Sequence, residues 1–248
     1  MNLWCSPVLP ASAYVVWDGC GFLDPGYYQA TISKKTGLGS VHPGEDFNIS
    51  TGGNTDLGKP LYAMSSALIV HAQSHRVWGN IVLGKSDYGG VWWQIAHLNE
   101  MFVKVGDRVR VGQQIGTIGR GGKNSNGDYY FYAHAHVEIR VSDLPADEWP
   151  SNTMNRKAAE QYIARTRRQP SKFLAEQGAA KTLDELRALI AQAEIVRPPA
   201  PVQPPAPPAN WHHVRDPQTG LYLPDNWVSE VGGEYYQVPE YKLRERGV

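Results

Sequence analysis

The sequence predicts a mainly β protein: an antiparallel sheet or sandwich, followed by helices and a small C-terminal module. Three observations point there. Short β-branched and aromatic runs punctuated by Gly and Asn fill residues 1–145, the apolar period lengthens after Asp143, and a proline-dense stretch sets the end of the chain apart. At 248 residues the chain can bury one good core and still carry appendages.

After the Pro43-Gly44 bend, Asp46 and Asn48 fall on one face of an extended run, Phe47 and Ile49 on the other. Strands are expected at residues 68–71, 80–83, 91–95, 109–111 and 114–118. The clearest alternation covers residues 130–141. Tyr130, Tyr132, His134, His136, Glu138 and Arg140 share one polar face, and Phe131, Ala133, Ala135, Val137, Ile139 and Val141 share the face predicted as core. Residues 154–168 read as an amphipathic helix with Ala158, Tyr162 and Ile163 on one side. Residues 182–195 read as a second, opened by a Thr182-x-x-Glu185 capping box and striped with Leu183, Leu186, Leu189, Ile190 and Ala193.

Seven prolines within residues 198–208 predict a semi-rigid polyproline spacer. Residues 210–248, with Trp211, Tyr222, Trp227, Tyr235, Tyr236 and Tyr241, predict a small hairpin with turns at 216–220 and 231–233. Such a short piece is marginal alone and is expected to dock on a partner, a glycan or the main domain; His212-His213 reads as an exposed pair. The expected boundaries are 1–145 for the β domain (core 40–141), 146–196 for a helical extension, 197–209 for the linker and 210–248 for the module.

The chemistry sits in two runs: His42-Pro43-Gly44-Glu45-Asp46 and Ala133-His134-Ala135-His136. Together His42, Asp46, His134 and His136 offer three or four ligands for a first-row metal. Imidazoles at i and i+2 project side by side from a strand, so one can bind a cation while the other serves a water on it. Two neutral histidines and one carboxylate leave a tetrahedral position open, the pattern of a catalytic zinc. A closed structural site calls for thiolates, and the chain has only Cys5 and Cys20, read as free and buried. An isolated H-x-H is ordinarily a pair of surface histidines; the sequence between the runs gives these weight.

That intervening sequence resembles the lysostaphin-like (LytM-type) zinc metallopeptidases, which cut peptidoglycan cross-links. The matching stretches are Lys59-Pro60-Leu61-Tyr62-Ala63, Gly79-Asn80-Ile81-Val82-Leu83, Ile95-Ala96-His97-Leu98 and the valine-glycine run at 103–119, all in the family's order between H-x-x-x-D and H-x-H. The resemblance implies Zn²⁺ held by His42, Asp46 and His136, with His97 and His134 as the catalytic pair. It implies a zinc-dependent endopeptidase in which these imidazoles move protons and stabilise the oxyanion, their division of labour left open. Glu45 is expected to face away from the site, and Glu138 is either a hydrogen-bond partner for an imidazole or part of a solvated face. Two departures stand out. Ile95 occupies a position where many relatives carry a tyrosine, and the loop at 119–129 is longer and more polar than usual, which bears on substrate preference.

Zero formal charge gives no electrostatic case for nucleic acid, and no apolar run reaches the roughly 18 residues of a membrane span. Residues 1–10 lack the pattern of a conventional export signal. That suits a phage virion component or a lysin released by a holin, with the C-terminal module contacting phage structural proteins or the wall; prior removal of a leader is the competing account. Two other classes remain. The valine-glycine run also looks like a lipoyl or biotinyl carrier, though neither Lys104 nor Lys123 occupies a clear hairpin tip and carriers have no use for H-x-H. A catalytically inactive peptidase-like binding or structural module, for example in a phage tail, would ordinarily have lost a ligand.

Overall fold

A computed structural model describes residues 2–149 and 154–196, and beyond them three strands at Trp211–Arg215, Tyr222–Val231 and Glu234–Val238. The spacer predicted at 198–208, the turns at 216–220 and 232–233, and the side chains of His212-His213 lie outside the described residues. Packing divides the chain into Met1–Glu194 and Ile195–Val248.

In the first unit ten strands join one branched, antiparallel sheet: β1 (Tyr14–Val16), β2 (Glu45–Ile49), β3 (Pro60–Tyr62), β4 (Ala67–His75), β5 (Gly79–Ser86), β6 (Trp92–Met101), β7 (Arg108–Val109), β8 (Gln114–Ile118), β9 (Ala135–Arg140) and β10 (Arg167–Arg168). The main order is β1-β2-β9-β6-β5-β4-β7; β8 bridges β6 and β3, and β10 lies beside β9. The mainly β, antiparallel expectation holds. Strand β9 is central, between β2 and β6, and its odd-numbered residues Ala135, Val137 and Ile139 enter the main core with Leu61, Ile69, Val82, Trp93, Ile95, Ile115 and Ile118. Burying each of the larger aliphatic side chains contributes about 1.5–3 kcal/mol.

The strand expected at 130–141 is shorter than its alternation. Tyr130 N–H donates to Gly122 O at 3.0 Å and His134 N–H to Gly119 O at 3.3 Å, so residues before Ala135 pair with the preceding loop. Nor is its polar face solvated: Glu138 and Arg140 are both fully buried. Ile95 packs with the main core and does not line the cleft.

Among the described residues there are four α-helices: α1 (Pro25–Ala30), α2 (Arg156–Thr166), α3 (Pro170–Glu176) and α4 (Leu183–Val196). Asp24 caps α1, accepting from Gly26 N at 2.6 Å, and Asn155 caps α2. Helix α2 buries Ala159 and Ile163 while the expected Ala158 is exposed, and it ends where Arg167 enters β10. Helix α3 had no expectation, because Pro170 reads as a stop; here it occupies the first turn, where its missing N–H costs nothing. In α4 Thr182 Oγ accepts from Glu185 N as the capping box predicts, Leu186 is buried beside Val111 and Cys5, and Leu183 is exposed. No described helix is long and apolar enough to cross a membrane.

The second unit contains β11 (Trp211–Arg215), β12 (Tyr222–Val231) and β13 (Glu234–Val238) in an antiparallel three-stranded sheet, one strand more than the predicted hairpin. Trp227 stands opposite Val238 and His213.

Candidate active site

Adjacent strands bring two of the predicted ligands together, since Asp46 on β2 is in register with His136 on β9. His42 joins them through the tight Pro43-Gly44 bend. A Cβ on Gly44 would lie 2.2 Å from Val137 O, so only glycine lets this loop approach β9 so closely. Asp46 Oδ1 is 2.8 Å from His136 Nδ1 and 3.3 Å from His42 Nε2, and the two nitrogens are 3.2 Å apart. All three residues are buried.

The remaining nitrogens fix the tautomers. His42 Nδ1–H donates to Gly21 O at 3.1 Å, and His136 Nε2–H donates to Glu138 Oε1 at 3.2 Å. The facing atoms are then two imidazole lone pairs and a carboxylate oxygen, within 4.8 Å of one another. With His136 neutral in this tautomer, three buried acceptors are aimed at one point and fit a cation; when His136 is protonated, its Nδ1–H donates to Asp46 in the cation's place. Burial opposes charge on His136, but bonds to Asp46 and Glu138 outweigh it and push its pKa up to about 9. Burial likewise opposes charge on Asp46, yet His42, His134 and His136 hold its carboxyl well below the usual range. Both express the same local demand for positive charge.

His97 and His134 stand beside this group, their ring centroids 4.5 Å apart. His97 is the extra residue of a β-bulge, because Asn80 pairs with Leu98 while Ile81 pairs with Ala96. Its φ of 67° lies in the left-handed region, a strain of about 1–3 kcal/mol that turns the ring into the cleft. Trp78 O accepts from its Nδ1 at 2.8 Å. His134 Nδ1 donates to Tyr132 O at 2.8 Å, leaving Nε2 3.5 Å from Asp46 Oδ2. Burial lowers both histidines, His97 well below its ordinary value with further repulsion from His134 and His136, so both are neutral at pH 7. Each offers a free Nε2 as a proton acceptor.

Behind His136 lies a buried ionic network that the sequence pattern left undecided. Glu138 Oε2 accepts from Arg140 Nε at 2.9 Å and from Arg167 Nε at 2.7 Å, and Arg167 also reaches Glu148. Burial opposes its charge, but Arg140, Arg167 and His136 keep Glu138 ionised. Arg167 comes from β10, inside the segment expected to be an appendage. Glu45 faces away as expected and binds the start of α3, accepting from Ser171 N at 2.7 Å and Gln169 Nε2 at 2.8 Å. Residues 154–176 are therefore fastened to both ligand-bearing strands.

The five residues line a cleft of about 800 Å³ walled by Trp17, Tyr27, Trp78, Phe131, Tyr132 and Trp149. Tyr27 stacks 4.5 Å from His42, and Trp149 lies 5.9 Å from His136. Of this wall the sequence pattern offered only Tyr132, on the polar face of the predicted strand; Phe131, expected in the core, lines the cleft because the chain before Ala135 is not part of β9, and Trp17, Tyr27, Trp78 and Trp149 carry no period. Both cysteines are free: Cys5 is buried and donates to Ala63 O at 3.3 Å, whereas Cys20 is only half-buried and lines the cleft. Burial pushes both thiols up to about 12, with Asp46 adding to the effect at Cys20.

Residues 40–148 match the model of peptidase family M23. Over 142 residues the chain is 28% identical to the peptidoglycan DD-endopeptidase ShyA of Vibrio cholerae, covering 55% of this chain but only 30% of that protein's length. Among solved structures it is similar to the catalytic domain of lysostaphin from Staphylococcus simulans, at 25% identity and TM-score 0.42 over 66% of this chain and 95% of that one. It is also similar to a zinc-containing peptidase from Vibrio cholerae, at 23% identity and TM-score 0.43 over 58% of this chain and 41% of that one. The ordered motifs and the family match agree, and residues 40–148 are similar to the peptidase domain of family M23.

Proposed function

We propose that this domain is a zinc-dependent endopeptidase acting on the peptide cross-links or stem peptides of bacterial peptidoglycan. The convergence of three buried acceptors from His42, Asp46 and His136, each imidazole fixed from behind, carries the reading. Two neutral histidines and one carboxylate are a ligand set of catalytic zinc. When bound, the ion supplies Lewis-acid polarisation of a carbonyl and makes water acidic enough to be a nucleophile near neutral pH. Glu138 and Gly21 O hold the two ligand rings in the tautomers that present lone pairs.

His134 and His97 have the geometry for proton transfer. Both are neutral at pH 7, both have Nδ1 tied to a backbone carbonyl, and both leave Nε2 toward the cleft, where one takes a proton from the attacking water and returns it to the leaving amine. In its protonated state either ring stabilises a developing oxyanion. The aromatic cleft suits an extended peptide carrying a glycan, and the likeness to a peptidoglycan DD-endopeptidase supports that substrate class.

The test is incubation of the zinc-loaded chain with purified sacculi of several cross-link types, followed by mass spectrometry of the new termini. New peptide termini that disappear with a chelator and return with zinc support the reading. Stoichiometric zinc with no new terminus on any sacculus type favours the inactive-module alternative.

A further inference from the structure

The polar loop before the H-x-H run forms a small rigid hairpin on the rim of the cleft. Lys123 bridges to Tyr129, Asn124 N donates to Asp128 O at 2.8 Å, and Asn124 Oδ1 accepts from Asn126 N and Asp128 N. Its base is clamped to the turn between β4 and β5: Gly122 N donates to Val77 O at 2.8 Å, and a Cβ on Gly122 would stand 1.9 Å from Arg76 O. A loop held this way presents its side chains at fixed positions.

Two cations are presented there. The Arg120 guanidinium carbon sits 4.4 Å from the centroid of the Tyr129 ring, and Lys123 Nζ sits 4.6 Å from the same centroid. Arg120 lines the cleft with Tyr129, Tyr130 and the catalytic histidines, and its buried Nε has no hydrogen-bond partner. Neither Arg120 nor Lys123 is in an ion pair among the described residues. Asp128, the hairpin's own acid, is exposed and is in none either, and the other acid on the cleft's rim, Asp147, is likewise unpaired among the described residues. Two like charges gathered on one ring, with a desolvated N–H unsatisfied, leave a position that an anion completes. A guanidinium already stacked on an aromatic ring loses little freedom when it forms a bidentate contact.

We infer that Arg120, supported by Tyr129 and Lys123, is a carboxylate-recognition site that selects peptide substrates bearing a free carboxylate near the scissile bond. This rests on the peptidase reading above and deepens it to a substrate class: acidic peptides over their amidated counterparts. The shape of the site separates it from the metal ligands, since neither cation contacts Asp46.

The experiment compares two soluble cross-linked muropeptides that differ only in a glutamate carboxylate, free in one and amidated in the other. Affinity is measured by calorimetry, and KM by release of the product peptide, on the wild-type full chain and on Arg120→Met and Arg120→Gln. Wild type is expected to favour the free carboxylate by about tenfold in both Kd and KM, the size of one charged hydrogen bond. Both variants are expected to bring that ratio close to one while their melting temperatures and zinc content match the wild type. A preference that survives in either folded variant, or a wild type that does not discriminate, overturns the proposal. If neither peptide is cut, the peptidase reading is at fault, and the Kd ratio still decides the carboxylate site.

Discussion

The floor of the cleft and its rim are built on opposite principles. On the floor, His42, Asp46, His136, Glu138, Arg140 and Arg167 are all buried, and Glu138 is bonded by His136 and Arg140 of β9 and by Arg167 of β10. On the rim, Arg120, Lys123, Tyr129 and Tyr132 stand on a hairpin and bend with unpaired charge and exposed rings. The difference teaches where chemistry and selectivity are kept apart. A buried ionic site tolerates no loose group, because an unpaired charge there costs several kcal/mol, whereas a solvated rim can change residues cheaply.

The hardest test of the floor replaces His42, Asp46 or His136 with Ala. Zinc and peptidase activity should vanish together, and metal analysis of natively purified variants that still hold stoichiometric zinc would break the ligand assignment. His97→Ala and His134→Ala come next. They should keep most of the metal and lose turnover by at least about 100-fold; zinc release from His97→Ala would move that residue to the ligand set.

Arg167→Met probes the network from outside the matched family region. Leaving Glu138 with one buried partner fewer should cost about 3–5 kcal/mol in unfolding free energy and weaken zinc about 10–100-fold. Arg156→Met, which breaks a half-exposed pair with Glu160 and a contact over the Tyr28 ring, should cost no more than about 1 kcal/mol. Equal melting temperatures for the two variants would erase the contrast between floor and surface.

Asp56 sharpens the comparison by a smaller amount. Its carboxylate is fully buried with both oxygens unpartnered, and burial pushes its pKa from 3.8 up to about 6. The folded state thus holds the proton more tightly than the unfolded chain, so stability should fall as pH rises from about 4 to about 6 and then level. Asp56→Asn should therefore melt higher than wild type at pH 7.5 and no higher at pH 4. The smallest effect is expected from a chain ending at Val196, which should melt, bind zinc and cut soluble peptide like the full chain. A clear drop in melting temperature would show that residues beyond 196 stabilise the β domain.

Much of the floor was legible because it is written in local codes. The alternation at 135–140 fixes which side chains share a face, Pro43-Gly44 marks a bend, and the H-x-x-x-D and H-x-H spacings each put their ligands on one short run, which the structure sets side by side. Residue types and period two pointed to the mainly β class, the core face of β9 and the grouping of His42, Asp46, His134 and His136, whereas His97 and the roles of all five came only with the family resemblance. Other features depended on partners distant in sequence. The bulge that turns His97 into the cleft arises from a one-residue slip between β5 and β6. Arg167 meets Glu138 from 29 positions away, and Glu45 meets Ser171 from 126. Helix α3 was masked by its own proline, and Trp17, Tyr27, Trp78 and Trp149 of the aromatic wall by their lack of period. Periodicity reports only which way a side chain points from its own element. What it meets there, and so whether Glu138 is a solvated residue or the buried anchor of a ligand histidine, depends on which other elements close over that face, and only the tertiary structure decided that.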